Sequence, residues 1–169
     1  LALQQARNRI LEMRSEADWQ PLVEVVLAQL RTLVPFYACG VNLIDWQAGT
    51  LTAHSPDLKG ARFPLPPGLA AVFRQAREKG GYVYRRTQAE MRQCGDAPEL
   101  LALQIRSVLD VFFSGGTLAV NSTEENAFSA RDIQVLERFA QVLSEAHQRL
   151  GDLKSLEESA AQLRQAQQL

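Results

Sequence analysis

The chain has 169 residues, of which 46% are hydrophobic and 22% are charged, and its formal net charge is −1. This length and composition favour one globular domain, and the balanced charge argues against a nucleic-acid-binding surface. No apolar run reaches the roughly 20 residues that a membrane-spanning helix needs. Two cysteines are too few for a disulfide scaffold, so a cytoplasmic setting is expected.

The first predicted element is a polar-rich helix within residues 1–18. Its apolar residues recur every three or four positions, which predicts a single stripe along the helix. They are Leu3, Ala6, Ile10, Met13 and Ala17. Nothing upstream can bury this stripe, and so short a helix is marginal alone, so we expect a partner helix against it. Because the chain lacks an initiator methionine, we expect it to be a fragment of a longer protein.

A second helix is predicted from Asp18, its N-cap, to Pro35. Residues 38–45 alternate in the manner of a strand, with Cys39, Val41 and Leu43 on one face and Asn42 on the other. Residues 50–55 form the next predicted strand. The prolines and the glycine of residues 56–67 predict a loop after it.

A third helix is predicted from Pro67, with Gly80 and Gly81 as its C-terminal stop. Residues 82–84 are predicted as a strand. Thr87 is the expected N-cap of a helical segment that runs through Met91. One or two further helical turns are expected over residues 99–104.

A hairpin is predicted around Ser114-Gly115-Gly116, because β-rich runs at residues 108–113 and 117–120 flank these turn residues. The glycines are expected to supply positive φ angles in the turn. A polar loop follows, and Ser129 is the predicted N-cap of the last helix.

The last helix is the longest predicted feature. Its apolar stripe continues past the expected end of the domain near Leu150, with one additional three-residue step before Leu156. The stripe consists of Leu136, Phe139, Leu143, Ala146, Leu150, Leu153, Leu156, Ala160 and Leu163. Gly151 weakens a helix interior and is an alternative end point. Since both terminal stripes need covering, we predict a parallel homodimer through the terminal helices; the alternative is a helix that folds back on its own domain.

Four stretches, taken in order, resemble a GAF domain, a sensory module common in bacterial signalling proteins. They are FYACGVNLID (36–45), PPGLAAVFRQAREKGGYVYRR (66–86), IRSVLDV with GTLAVNS (105–122) and NAFSARDIQVLERFAQVLSEA (126–146). The resemblance implies an α+β fold in which helices cover one face of a central antiparallel sheet. It also implies a pocket on the other face, capped by loops and short helices. The expected organisation is an incoming helix (1–18), a GAF-like domain (19–150) and an outgoing coiled-coil helix (151–169).

The ligand-specific signatures of this family are incomplete here. Gly95 follows Cys94, where the phytochrome-like bilin sites have a histidine, and the second pocket cysteine of the free methionine sulfoxide reductases is lacking. Asn121, Phe128 and Asp132 fit the signature of cyclic-nucleotide-binding members, whose lysine and glutamate are replaced by Ser122 and Ile133. No particular cofactor is therefore predicted. The two histidines and two cysteines show no metal-site spacing.

The candidate ligand-binding residues are polar or aromatic residues of the predicted strands and loops. They are Asn42, Phe63, Phe73, Tyr82, Tyr84, Asp110 and Phe112. A buried Asp110 must either bond locally, to backbone or Arg106, or await a ligand. The aromatic residues serve equally well as plain core. Arg85 and Arg86 could hold an anionic group, but a pair of arginines at a strand end is more often solvated, and we expect that here.

We therefore expect a non-enzymatic sensory module. It would bind a small molecule and pass a signal through dimeric terminal helices to an effector domain elsewhere in the protein. A structural dimerisation module with a self-filled pocket is the second hypothesis. Phe63, Phe73 and Phe112 in mutual contact would favour it. An enzyme acting on an oxidised thioether is the third hypothesis, and it would need a second reactive cysteine near Cys94.

Overall fold

A computed structural model describes residues 3–168 of the chain; residues 1, 2 and 169, which the predicted terminal helices include, lie outside the described residues. The helices are α1 (Gln4–Glu12), α2 (Trp19–Arg31), α3 (Pro67–Glu78), α4 (Gln88–Cys94), α5 (Pro98–Ala102) and α6 (Ala130–Gln167), with a short 3₁₀ turn (Glu16–Asp18) before α2. The strands are β1 (Ala38–Asp45), β2 (Thr50–His54), β3 (Ala61–Pro64), β4 (Tyr82–Arg85), β5 (Ser107–Phe113) and β6 (Gly116–Ser122). None of these helices is long and apolar enough to cross a membrane.

The strands form one antiparallel sheet in the order β3-β2-β1-β6-β5-β4. Asn42 pairs with Thr117 across the central β1–β6 ladder, and Asp110 on β5 pairs with Val83 on β4. Directly paired residues of an antiparallel sheet project from the same face. The predicted α+β architecture is confirmed.

Helices α1, α2 and α6 cover one face of the sheet and form the main hydrophobic core with it. Trp19, Leu118 and Phe139 are among its fully or almost fully buried side chains. Burying side chains of this size stabilises the fold by about 1.5–3 kcal/mol each. The strand alternation predicted for β1 is confirmed, because Val41 lies in this core and Cys39 and Leu43 pack against it.

The opposite face is covered by α3 and by the short helices α4 and α5. Leu65, Leu69, Ala70, Phe73 and Val83 form a smaller apolar cluster there. A third cluster, around Met91, Ile105 and Val108, anchors α4 beside it.

Residues 61–64, expected to be loop, form the edge strand β3, which pairs with β2. A proline is tolerated there because an edge strand leaves one side of its backbone unpaired. The prolines of this region therefore hid a short strand from the sequence pattern.

The hairpin forms as predicted, but its glycines serve another purpose. Neither Gly115 nor Gly116 is among the residues with positive φ. A Cβ on Gly115 would lie 2.8 Å from His147 Cδ2, and one on Gly116 would overlap the carbonyl oxygen of Asn42. Close packing against β1 therefore requires glycine at position 116, whereas a side chain at position 115 would displace the rings of His147 and Phe113.

The terminal helices differ from the prediction in two respects. The stripe of α1 does not await a partner, because Ala6, Ile10 and Met13 are buried in the main core of the same chain. Gly151 does not end the last helix, since α6 runs through it to Gln167. Of the two stripes that favoured a dimer, only the outer part of α6 is left uncovered.

Replacing Ser129 with alanine is expected to lower the free energy of unfolding by about 1 kcal/mol. Ser129 Oγ accepts from the Asp132 amide at 3.1 Å, and an Asp132 oxygen accepts from the Ser129 amide at 2.9 Å, as in a capping box. Urea unfolding measures the loss. Ser155→Ala, in the exposed interior of the same helix, is the control, and equal effects of both variants would contradict a capping role.

Stability is expected to fall as the pH drops below about 6.5, partly through His54. Its ring is buried against α2, with Nδ1 2.9 Å from Gln20 Oε1. Burial lowers the pKa of His54 below the ordinary value of 6.5, with Glu16 opposing, so the folded state prefers the neutral ring. This contribution is present above pH 6.5 and is lost as the pH falls through the folded-state pKa.

Unfolding of His54→Gln at pH 7.5 and 5.5 tests this expectation. The variant should lose less stability between the two pH values than the unsubstituted protein. An unchanged pH dependence in His54→Gln would contradict it.

Candidate functional site

A buried ionic network occupies the sheet face beneath α3 and α4. Its centre is Arg85 on β4, whose residue surface is only 1% exposed. Nε and Nη2 of Arg85 donate to the two carboxylate oxygens of Asp96 at 2.9 and 2.8 Å, and Nη1 donates to the Val83 carbonyl at 3.0 Å. The expectation that Arg85 is solvated is wrong, because its side chain turns under the α4–α5 segment.

Asp110 on β5 is the second carboxylate of the network. One of its oxygens lies 2.8 Å from Arg85 Nη2, and the other accepts from Thr117 Oγ1 at 2.7 Å. Asn42 Nδ2 in turn donates to Thr117 Oγ1 at 3.3 Å. A row of polar side chains thus crosses β1, β6, β5 and β4. Of the two alternatives for Asp110, the described fold shows a satisfied carboxylate, and its partner is Arg85 rather than Arg106.

The network holds two carboxylates for one guanidinium. Burial opposes the charge on Arg85, but Asp110 and Asp96 outweigh it and raise the pKa of Arg85. Burial also raises the pKa of Asp96, which the nearby Asp110 charge reinforces and the bonds to Arg85 only partly offset.

Aromatic rings line the apolar side of this network. Phe73 of α3 and Phe112 of β5 meet edge to face, with centroids 5.4 Å apart, and the Arg85 guanidinium lies 5.7 Å from the Phe73 ring centre. Such contacts each contribute about 0.5–1.5 kcal/mol beyond area burial. Phe63 is not part of this group, since it is 40% exposed on the edge strand β3.

The two candidate tyrosines lie elsewhere. Tyr84 packs against the main core on the helix-covered face, and its hydroxyl accepts from the Phe128 amide at 2.8 Å. Tyr82, two residues earlier on the same side of β4, is 41% exposed. Both were expected beside Asp110, but strand alternation places them on the other face of the sheet.

Cys94, at the end of α4, packs against the smaller apolar cluster. Cys39, the other cysteine, packs against the main core on the opposite face. Burial raises the pKa of the Cys94 thiol, which lowers its thiolate fraction. Within residues 3–168, no group of three His, Cys, Asp or Glu side chains is placed to hold a metal ion.

Two grooves stand out on the described surface, and neither opens onto the Arg85 network. One, of about 620 Å³, lies between α1 and α6, and the other, of about 260 Å³, lies where Phe112 and Gly81 approach α6. The network face is closed by its own side chains.

Sequence reasoning identified Asn42, Asp110, Phe73 and Phe112 as candidates, and the structure brings these four together. It missed Asp96 and Thr117 and assigned Arg85 to solvent. The sequence did offer one signal: Arg85 is a charged residue in a strand, and an aspartate, Asp96, follows it eleven residues later in a loop. Thr117 carries no signal of its own, because threonine is common in strands.

Replacing Arg85 with methionine is expected to lower the free energy of unfolding by about 3–5 kcal/mol, because two buried carboxylates lose their cation. The neighbouring Arg86 is exposed, with its guanidinium 4.5 Å from the Tyr84 ring centre, so Arg86→Met should cost less than about 1 kcal/mol. Chemical denaturation of both variants measures the difference. Similar losses would mean that the network contributes little net stability.

No family model matches the sequence, and no curated protein matches it significantly. Several solved structures are similar to the chain. The chain is similar to a free methionine-R-sulfoxide reductase from Neisseria meningitidis, solved with its substrate, at 21% identity over 89% of both chains with a TM-score of 0.61. It is also similar to the GAF domain of an Acinetobacter phosphoenolpyruvate-protein phosphotransferase, at 17% identity over 86% of this chain and 89% of that one, with a TM-score of 0.60.

A third similar structure is the chromophore-binding domain of a bacteriophytochrome from R. palustris. It matches at 11% identity and a TM-score of 0.63, over 92% of this chain and 61% of that one. At sequence identities this low, the structural likeness shows a shared fold, but it does not show that this chain binds the same ligands or has the same activity. The six-stranded order, the helix-covered face and the long last helix agree with this likeness. Residues 3–168 therefore have the fold of a GAF domain.

Proposed function

We propose that this chain is a non-enzymatic regulatory module of a signalling protein. It binds a small molecule at the sheet face around Arg85 and Asp110, dimerises through α6, and passes a change along α6 to an effector domain in the full-length protein. The observation that carries this proposal is the course of α6, which continues beyond the core it helps to form.

The inner part of α6 is buried as far as Leu150, and its outer part is almost entirely exposed. Leu156 and Leu163 are 67% and 62% exposed, respectively. With Leu153 and Ala160 they form a three-four-three spacing, which is the seam of a two-stranded coiled coil. An apolar seam of this kind on a solvated helix favours a second helix against it.

The groove between α1 and α6 supports a second copy of the chain as the occupant. Its floor includes Leu11, Leu153 and Leu156, and Leu11 is 66% exposed. Its rim carries both signs of charge, including Arg7 and Glu145, whose side chains are 3.5 Å apart. A homodimer uses the same surface on both subunits, and a surface with both signs of charge does not repel its own copy as a surface of one sign would.

A physical connection links the ligand face to α6. Asp110 lies on β5, and the neighbouring β5 residues Leu109 and Val111 belong to the core that α6 packs against. The β5–β6 turn is tied to α6, since the Ser114 amide donates to Ser144 Oγ at 3.0 Å and Ser114 Oγ lies 2.9 Å from His147 Nδ1. A ligand that favours one arrangement of β5 would thereby shift the population of α6 arrangements.

The second candidate function is a structural dimerisation module that binds no ligand. The Phe73–Phe112 contact and the satisfied network around Arg85 favour it, because they fill the face where a ligand would lie. Two of the three phenylalanines whose contact would support this hypothesis do touch; Phe63 does not.

Replacing Leu156 and Leu163 together with alanine is expected to weaken dimerisation at least tenfold, since each loses buried apolar area only in the dimer. Sedimentation equilibrium measures the dissociation constant. Leu103→Ala is the matched control, because Leu103 is 62% exposed at the end of α5, away from α6.

Unchanged association in the double variant would count against α6 as the interface, and a monomeric unsubstituted protein would remove the dimer from the proposal. Native mass spectrometry of the dimer, followed by denaturation, separates the two candidate functions. A released small molecule supports the regulatory module, and its mass narrows the ligand's identity.

A further inference from the structure

The carboxylate of Asp96 binds Arg85 in the way a small-molecule carboxylate would. Both of its oxygens accept from one edge of the guanidinium, at 2.8 and 2.9 Å. This two-pronged pairing is the geometry by which arginine recognises free carboxylates. Asp96 belongs to a short connection between α4 and α5, whereas Arg85 belongs to the sheet.

Arg85 keeps its position through contacts that do not involve Asp96. Nη2 also pairs with Asp110 at 2.8 Å, Nη1 donates to the Val83 carbonyl at 3.0 Å, and the guanidinium lies near the Phe73 ring. If Asp96 moved away, the edge formed by Nε and Nη2 would remain oriented towards the space it had left. The site is therefore preorganised for an incoming oxyanion.

The net charge of the Arg85 network favours a singly charged oxyanion over a doubly charged one. Arg85 is already shared between two carboxylates, so exchanging Asp96 for a ligand carboxylate leaves the charge around Arg85 unchanged. A phosphate monoester would bring up to one further negative charge into a buried site with only one cation, which burial penalises. The rings of Phe73 and Phe112 supply an apolar wall for the rest of the ligand.

We propose that the ligand of this domain is a small monocarboxylate with an apolar body, and that it binds Arg85 by displacing the side chain of Asp96. This inference rests on the proposed function, in which this sheet face is the ligand site. Asp96 then acts as an internal competitor that closes the site when no ligand is bound. Its departure frees the α4–α5 connection, which otherwise packs closely on the start of α3, where a Cβ on Gly95 would lie 3.1 Å from the Leu69 nitrogen.

The test uses benzoate as the probe and benzamide as its neutral isostere. Binding is followed by NMR through the Arg85 Nε–Hε resonance, in the unsubstituted protein, in Asp96→Ala and in Glu99→Ala, an exposed acid on the neighbouring α5. Removing an internal competitor should tighten benzoate binding by about tenfold or more in Asp96→Ala, because the open site no longer has to be populated first. Glu99→Ala should bind like the unsubstituted protein, and benzamide and inorganic phosphate should not bind.

Asp96→Asn provides a second variant if Asp96→Ala does not fold. It retains the size of the side chain but not its charge, and it should bind benzoate with an affinity between those of the other two proteins. Equal benzoate affinity with and without the Asp96 carboxylate would overturn the inference. So would benzamide binding as tightly as benzoate, or no benzoate binding to any variant.

Sedimentation of the same samples separates this inference from the proposed function. If the protein is a dimer and does not bind benzoate, only the assignment of a carboxylate as the ligand is overturned. A monomer that binds benzoate through Arg85 overturns the dimeric arrangement and supports the assignment.

Discussion

The ionic contacts of the buried Arg85 guanidinium connect three elements of the second face of the sheet. It joins β4 to β5 through Asp110 and to the α4–α5 connection through Asp96. The three charges of this network, removed from water, must find partners nearby, since an unpaired buried ion costs several kcal/mol. This ionic contact adds to the apolar packing of Met91, Leu100 and Leu101 in positioning the short helices α4 and α5 over the sheet.

The two faces of the sheet are therefore stabilised by different kinds of interaction. The face under α1, α2 and α6 is a continuous hydrophobic core, in which close packing leaves few alternative arrangements. The other face combines small apolar clusters with a polar network, whose energy depends on charge and on local access of water. A face of the second kind suits a regulatory site, because exchanging one ionic partner for another changes the structure at modest energetic cost.

Helix α6 belongs to the hydrophobic core on the first face of the sheet and extends beyond that core. Its inner half is held by the core and its outer half is free of it, yet no break separates them at Gly151. A continuous helix transmits a rotation or shift along its length. Strand β5 is therefore central to the proposed mechanism, because it carries Asp110 on one face and packs against α6 with its other face.

Local pattern determined much of this protein. Four features depend on residues close together in sequence and were recognised from periodicity and capping: the alternation of β1, the Ser129 cap, the hairpin at Ser114 and the long stripe of α6. The hairpin was predicted correctly, but the positive φ angles expected of its glycines are not observed. Asn42, Asp110, Phe73 and Phe112 were recognised for a related reason: polar and aromatic residues stand out in, or beside, apolar strands. The edge strand β3 escaped because prolines mask the pattern that an edge strand tolerates.

Tertiary structure alone decided the remainder. The face to which Tyr82 and Tyr84 belong depends on the register of β4 against β5, and a shift of one residue would have reversed it. The burial of Arg85 depends on a loop that brings Asp96 back over the sheet, and the covering of the α1 stripe depends on α2 and α6 packing around it. Sequence by itself determined most of the elements that form. The partners of each buried charge and apolar stripe followed only from long-range packing, because those contacts join residues that no local pattern relates.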